Sequence, residues 1–340
     1  MSTEILKPLP CPACGTPLVP APSVSRKPAA KLADCLRKCA TCDLGYSNAL
    51  NDPTVIHGDA AANVPIEVRP GVTYTLSNSL NVRNRRSKMA KFGFSTSEDA
   101  LTWTAFSYLA GQGLLAQALQ GIAISFATSP GALLLWGVPV PAADSQAQVV
   151  EKRLVEVSDQ LRESPLSRSE PDVIVDFGSA GLVLIEVKRF SRNECRKDAE
   201  IFTRYLSANV FFHNPRLVVA SGLYELARNW RIGCELAGGR PLQLVNLVVA
   251  PRAAETARLQ KFQSGLAVTP QRVFRQVTWA NLLGAFKKPG WLEIAIAKGL
   301  RKSGSIGSDK GTSTAARAST AECSRGISCC SVDAQTRGPN

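Results

Sequence analysis

The sequence predicts an α/β protein with a small cysteine-rich module in front of it and an unstructured tail behind. Three observations carry this. Helical and strand-like hydrophobic patterns alternate through residues 98–302. Five of the ten cysteines crowd into the first 42 residues. Residues 303–340 hold no aromatic residue, and their only large aliphatics are Ile306, Ile327 and Val332, too few to bury a core. The expected organisation is a module at 1–50, a polar, irregular and basic linker at 51–97, the α/β domain at 98–302 and a disordered tail at 303–340.

Within the α/β region, Leu101, Trp103, Phe106 and Leu109 recur at roughly helical spacing from Glu98 onward. GALLLWGVPV (131–140), apolar and bounded by Pro130 and Pro141, reads as one buried strand. Residues 144–164 place Val150, Leu154, Val157 and Leu161 on one helical face. DVIVDF (172–177) and LVLIEVKRF (182–190), joined by GSAG, read as a hairpin. Next come a helix over 194–206 with Ala199, Phe202 and Leu206 inward, a strand at RLVVA (216–220), a helix at 223–236 and a strand at 242–250.

Forty Lys and Arg stand against 27 Asp and Glu, a formal charge of +13, so a polyanion is the first partner to consider. The tail carries four basic and three acidic residues, so the excess lies on the rest of the chain. The opening MSTEILKPLPCPACG has no apolar run after its positive residue, and Gly113–Ala143, the most apolar region, is broken by Gln117, Gln120, Ser125, Thr128, Ser129 and Pro130. Neither secretion nor membrane insertion is expected, and a cytoplasmic location is.

CPACG (11–15) and CATCDLG (39–45) are two Cys-x-x-Cys knuckles 24 residues apart. Each knuckle brings two thiolates to one ion, with Gly15 and Gly45 expected at positive φ so that backbone N–H groups approach sulfur. Cys11, Cys14, Cys39 and Cys42 thus form an S₄ site that resembles a zinc ribbon over residues 8–48. With four cysteine ligands and no open position, the Zn²⁺ is expected to be structural. Cys35 is either a substitute ligand or free. Arg26, Lys27, Lys31, Arg37 and Lys38 give the module a basic loop. His57 and His213 fit no ligand or nucleophile pattern, and Cys195 and Cys234 read as small buried helix residues.

The second constellation is in the hairpin. Side chains alternate along a strand, so Leu182, Leu184, Glu186 and Lys188 share one face. Folding about residue 179 brings Asp172 level with Glu186. Two carboxylates this close repel unless a cation lies between them, and oxygen ligands suit Mg²⁺ or Mn²⁺. A metal-polarised phosphodiester, a metal-bound water and Lys188 beside them make hydrolysis the natural chemistry. Asp176 shares the face of Asp172 but lies near the turn and is left out of the site.

Pro171-Asp172, a gap of 13 residues and Glu186-Val187-Lys188, followed by a helix and a strand, resemble the PD-(D/E)xK nuclease superfamily over residues 95–250. The resemblance implies a restriction-endonuclease-like αβββαβ core with a mixed central sheet, and a metal-dependent endonuclease acting on DNA in restriction or repair. It implies Asp172 and Glu186 as metal ligands and Lys188 as support for the attacking water. Family members commonly add a glutamate from the first core helix, a role that Glu98 matches by position. Glu98 equally completes a capping box with Ser95; Asp99, Glu151 and Glu156 are the alternatives for a third carboxylate, and the 144–164 helix departs from the minimal core.

Arg83, Arg85, Arg86, Lys88 and Lys91 precede Glu98, and Lys197 and Arg204 share a helix face after Lys188, so these seven are the candidate phosphate contacts. RNA or branched DNA is an alternative substrate, and a homodimer would serve two-strand cleavage. The rival function is a zinc-ribbon binding or assembly protein that grips nucleic acid without cutting it.

Overall fold

Strand hydrophobicity on both faces requires cover on both faces, and the six-stranded sheet at the centre of the protein has it. The computed structural model describes residues 6–22, 27–127, 130–189, 191–196, 198, 200–207 and 209–300, all within one compact unit, Met1–Ser305. The expected tail, Arg26, Lys197 and Ala199 lie outside the described residues.

The chain begins with a two-stranded hairpin, β1 (Leu9–Pro10) and β2 (Pro17–Leu18), and a three-stranded antiparallel sheet, β3 (Arg37–Cys39), β4 (Leu44–Tyr46) and β5 (Val55–His57). Because β5 pairs with β4, the sheet of the cysteine module continues beyond residue 50. Helices α1 (Val72–Asn78) and α2 (Arg85–Phe92) follow, so residues 51–97 are not the irregular segment their polarity suggests. Val72, Leu76 and Phe92, widely spaced in sequence, are each almost fully buried against α3 (Glu98–Gly111), which α4 (Leu115–Gln120) follows.

The next segment corrects the single strand expected at 131–140. It is a hairpin of β6 (Ala132–Leu135) and β7 (Val138–Val140), turning at Trp136 and Gly137, whose φ values are 52° and 79°. Two successive positive φ angles match the right-handed twist of the strands, and Trp136 is held there by burial, stacked on Trp103 with Phe92 edge-on. Helix α5 (Ser145–Gln160) is capped by Asp144, whose carboxylate accepts the Ala147 N–H at 2.9 Å.

Strands β8 (Val173–Asp176) and β9 (Leu182–Lys188) pair antiparallel with Val173 opposite Ile185, so the register continues to Asp172 opposite Glu186. After β9 come α6 (Glu200–Leu206), α7 (Pro215–Ser221), α8 (Tyr224–Ala237), β10 (Leu242–Val248), α9 (Ala253–Gly265), β11 (Arg272–Thr278), α10 (Trp279–Gly284) and α11 (Gly290–Leu300). The segment expected as a strand at 216–220 is helix α7. Asn214 caps it, Pro215 occupies its first turn and Gly222 ends it at φ 71°, three signals that outweigh a short β-branched run. The helix expected from residue 194 is described only from Glu200, and Cys195, expected on it, is exposed and bridges to Leu223 instead.

The sheet order is β11-β10-β9-β8-β6-β7, parallel among β9, β10 and β11 and antiparallel elsewhere, a mixed sheet. Val173, Val175, Val183, Ile185 and Val187 face α3, α4, α10 and α11, whereas Ile174, Leu182 and Leu184 face α5, α8 and α9. Asp172, Glu186 and Lys188 therefore extend the second face beyond its apolar part, towards α8. Gly137→Ala is expected to destabilise the protein by about 1–2 kcal/mol in denaturant unfolding, because left-handed backbone disfavours a Cβ and that Cβ would lie 2.3 Å from Leu80 Cδ1.

Candidate functional site

The two cysteine knuckles sit on two turns, β1–β2 and β3–β4, which face each other. The ligating atoms of Cys11, Cys14, Cys39 and Cys42 all lie within 4.8 Å of one another, and the Sγ atoms of Cys14 and Cys39 are 3.7 Å apart. Tetrahedral zinc with bonds of about 2.3 Å places its sulfurs about 3.8 Å apart, so the donor set and its spacing fit that ion. Four cysteines are thus positioned to hold a metal. Gly15 has the positive φ of 75°, but in the second knuckle Asp43 takes that role at 48°. Gly45 lies in β4, where a Cβ would come within 2.6 Å of the Arg37 carbonyl oxygen, so it is needed for close strand approach. Cys35 stands apart, buried beside Ile56, with its thiol pushed up to about 11 by burial and by Asp34.

The hairpin constellation lines a cleft of about 630 Å³ between α2, the N-terminus of α3, the end of β9 and the start of α8. Among the described residues six carboxylates line it, Glu98, Asp99, Glu170, Asp172, Glu186 and Glu225, and six cations, Lys88, Lys91, Arg168, Lys188, Arg204 and Arg228. At its floor Lys188 Nζ lies between Glu186 Oε1 at 2.6 Å and Glu225 Oε2 at 2.8 Å. The other oxygen of Glu186 accepts the Asn229 side-chain N–H at 2.7 Å. Asp172 Oδ2 accepts the Val187 backbone N–H at 2.8 Å, which locks this carboxylate to the strand between Glu186 and Lys188. The Asp172 carbonyl in turn accepts the N–H of the hairpin residue Trp136 at 3.1 Å.

Burial and then the charge of Glu186 push the Asp172 carboxyl well above the usual carboxylate range. Burial opposes the charge on Lys188, yet Glu186, Glu225 and Asp172 outweigh it and raise its pKa. Glu225 is lowered because Lys188 overcomes the effect of burial. Two neighbouring carboxylates repel one another, and a divalent cation held by their hard oxygens would relieve that repulsion. Asp172 and Glu186 thus fit Mg²⁺ or Mn²⁺ by donor chemistry.

Glu98 and Asp99 also line the cleft. The cap of α3 is Ser97, whose hydroxyl accepts the Ala100 N–H, so the capping box of Ser95 with Glu98 does not form. The Glu98 carboxylate instead accepts the backbone N–H of Arg189 and the Ser191 hydroxyl, tying the start of α3 to the end of β9, and burial raises its pKa. Glu151 and Glu156, on α5, are not among the cleft residues, and neither are His57 and His213.

The basic residues separate in the structure. Lys91 and Arg204 are exposed and line the cleft, while Arg83 and Arg86 are exposed outside its lining. Arg85 donates to the carbonyls of Ser79 and Asn78 and thereby closes the end of α1. Lys88 is buried, paired with Glu170 at 2.6 Å, and its Nζ lies 4.7 Å from the centre of the Trp136 ring, so it holds the cleft wall together.

Sequence reasoning missed Glu225, Asn229 and Arg228. Their only sequence signal is spacing: on a helix that also carries Arg228, Arg231 and Glu235, Glu225 and Asn229 stand four apart and so share a face. Glu170, immediately before Pro171, was likewise passed over.

Comparison with protein-family models, curated proteins and solved structures finds no match to the chain. Among the described residues no helix is long and apolar enough to cross a membrane. Metal analysis of the purified chain is expected to find one bound zinc that Cys39→Ser loses and Cys35→Ser retains.

Proposed function

We propose that this chain is a divalent-metal-dependent endonuclease that hydrolyses phosphodiester bonds in DNA, on a restriction-endonuclease-like fold with a structural zinc in its N-terminal ribbon. The observation that carries the reading is the register of β8 and β9, which sets Asp172 opposite Glu186 with Lys188 on the same face at the floor of a charged cleft. The order α3, β6, β8, β9, α8, β10 supports it, being the αβββαβ order that the Pro-Asp and Glu-x-Lys resemblance implies. Relative to that order, β7 and α5 are inserted between the first two strands, and α6 and α7 precede the second helix.

Asp172 and Glu186 would hold the cation, which when bound polarises the scissile phosphate and makes a water nucleophilic. The residues' own parts follow from their positions. Asp172 is fixed by the Val187 N–H, so its carboxylate cannot swing away from the floor. Lys188 offers an ammonium to the charge that grows on phosphate oxygen as the water oxygen bonds to phosphorus and the opposite P–O bond breaks. Exposed Lys91 and Arg204 line the cleft and suit flanking phosphates. Restriction or repair would be the setting, by resemblance.

The test is nicking of supercoiled plasmid, with single-stranded and branched DNA alongside, in Mg²⁺, Mn²⁺ or EDTA. Cleavage that requires metal, disappears in Glu186→Ala and falls at least about 100-fold in Lys188→Ala is the expected result. Lys91→Ala and Arg204→Ala are each expected to lower the salt slope of DNA binding by about one. Metal-independent, salt-sensitive binding without cleavage of any substrate would overturn the hydrolase reading in favour of a binding module.

A further inference from the structure

The floor of the cleft has a second layer, supplied by α8, that is more than packing. Glu186 and Asn229 are 4 % and 0 % exposed, so each polar atom there needs a partner within the protein. Asn229 Nδ2 donates to Glu186 Oε2 at 2.7 Å, while Lys188 Nζ is shared between Glu186 Oε1 and Glu225 Oε2. Glu225 is itself steadied by the backbone N–H of Glu194 at 3.3 Å. If Glu186 gives up Oε1 to a cation, Oε2 keeps Asn229 and Lys188 keeps Glu225. No buried polar group is stranded by the exchange. In a site without Glu225, releasing Lys188 from Glu186 would take away the carboxylates that touch the buried ammonium.

We infer that Glu225 and Asn229 are positioning residues for the proposed hydrolysis: Asn229 orients the Glu186 carboxylate towards the metal, and Glu225 holds the Lys188 ammonium in place when Glu186 turns to the cation. The inference rests on the reading of Asp172 and Glu186 as metal ligands. It assigns different consequences to two residues on one helix face, because Asn229 acts through a ligand and Glu225 through the lysine. A purely structural role would give both variants the same signature, lower thermal stability and nothing else.

The experiment is Mn²⁺ binding to the full chain, followed by electron paramagnetic resonance of the free ion, together with cleavage kinetics at saturating Mn²⁺. Glu186→Ala serves as the control that removes the site. Asn229→Ala is expected to weaken Mn²⁺ binding about 10-fold, the usual scale for a group that orients a ligand. Glu225→Ala is expected to leave Mn²⁺ affinity within about twofold yet lower kcat about 10- to 100-fold with KM for DNA unchanged. Glu225→Gln keeps an oxygen that accepts from Nζ but not the negative charge, and is expected to recover only part of that loss. Wild-type metal affinity in Asn229→Ala together with wild-type kcat in Glu225→Ala would overturn the inference. So would losses that track melting temperature and are not relieved by Gln. A Glu225→Ala variant that loses Mn²⁺ as Glu186→Ala does would make Glu225 a ligand and overturn its positioning role. If the wild type binds Mn²⁺ at this site but cleaves nothing, the hydrolase reading falls while the Asn229 effect on affinity still decides that residue's part. If it binds no Mn²⁺, both fall.

Discussion

The register of β8 against β9 is the constraint on which the cleft depends. A slip of one residue would turn Glu186 and Lys188 to the opposite face, into the apolar layer beneath α3. Two features at the far end of the hairpin prevent it. Asp176 receives both guanidinium nitrogens of Arg240, at 2.9 and 3.0 Å, and the Gly178 N–H at 2.6 Å. Gly178 at φ 62° begins the connection, and the Phe177 N–H reaches the Gly181 carbonyl across it. A planar, two-point ion pair is hard to shift by one residue, since both of its hydrogen bonds fail together. Asp176 thus serves the carboxylates it does not join, by fixing from one end of the strands what faces what at the other.

The cleft's other wall is tied to the cysteine module. Ser95 exchanges hydrogen bonds with Val55 of β5, its N–H donating to the Val55 carbonyl and its hydroxyl accepting the Val55 N–H. The Ser95 carbonyl accepts from the Arg189 guanidinium, and the Arg189 backbone N–H donates to Glu98. A short path of polar contacts therefore runs from the three-stranded sheet that carries Cys39 and Cys42 to the first turn of α3 and the end of β9. A small sheet with few apolar residues is poorly held by burial alone, so an ion on its four sulfurs would stiffen the edge against which the cleft is built.

How much of this the sequence disclosed follows from which physical signals are local. The symmetry of Asp172 and Glu186 about residue 179 is a two-strand property readable from spacing, and α5 and the apolar face of α8 follow from 3.6-residue periodicity. The four cysteines needed only their knuckles. RLVVA failed because four apolar residues fit either period, and the decision came from Asn214, Pro215 and Gly222 outside the run. GALLLWGVPV failed because tertiary stacking, not turn-prone composition, holds Trp136 at positive φ. Residues 51–97 looked irregular because Val72, Leu76 and Phe92 are spread among polar residues and bury only when brought together. Glu225 and Asn229 were missed for a different reason. A polar pair on a helix usually faces water, and only the three-dimensional placement of α8 over the end of β9 turns it inward.

The charge of the chain and the charge of its cleft differ in a way that bears on substrate. The protein carries +13, yet among the described residues the cleft is lined by equal numbers of carboxylates and cations, with Glu186 buried at its floor. A polyanion would be drawn by exposed Arg83 and Arg86 outside the cleft and by exposed Lys91 and Arg204 in its lining, and would meet no net attraction at the floor. On the proposed reading that division is functional. Exposed arginines and lysines gather the backbone and lose their grip as salt rises, whereas Asp172 and Glu186 repel a phosphate until a divalent cation lies between them. Binding without metal and chemistry only with it then follow from one distribution of charge, without any movement of the fold.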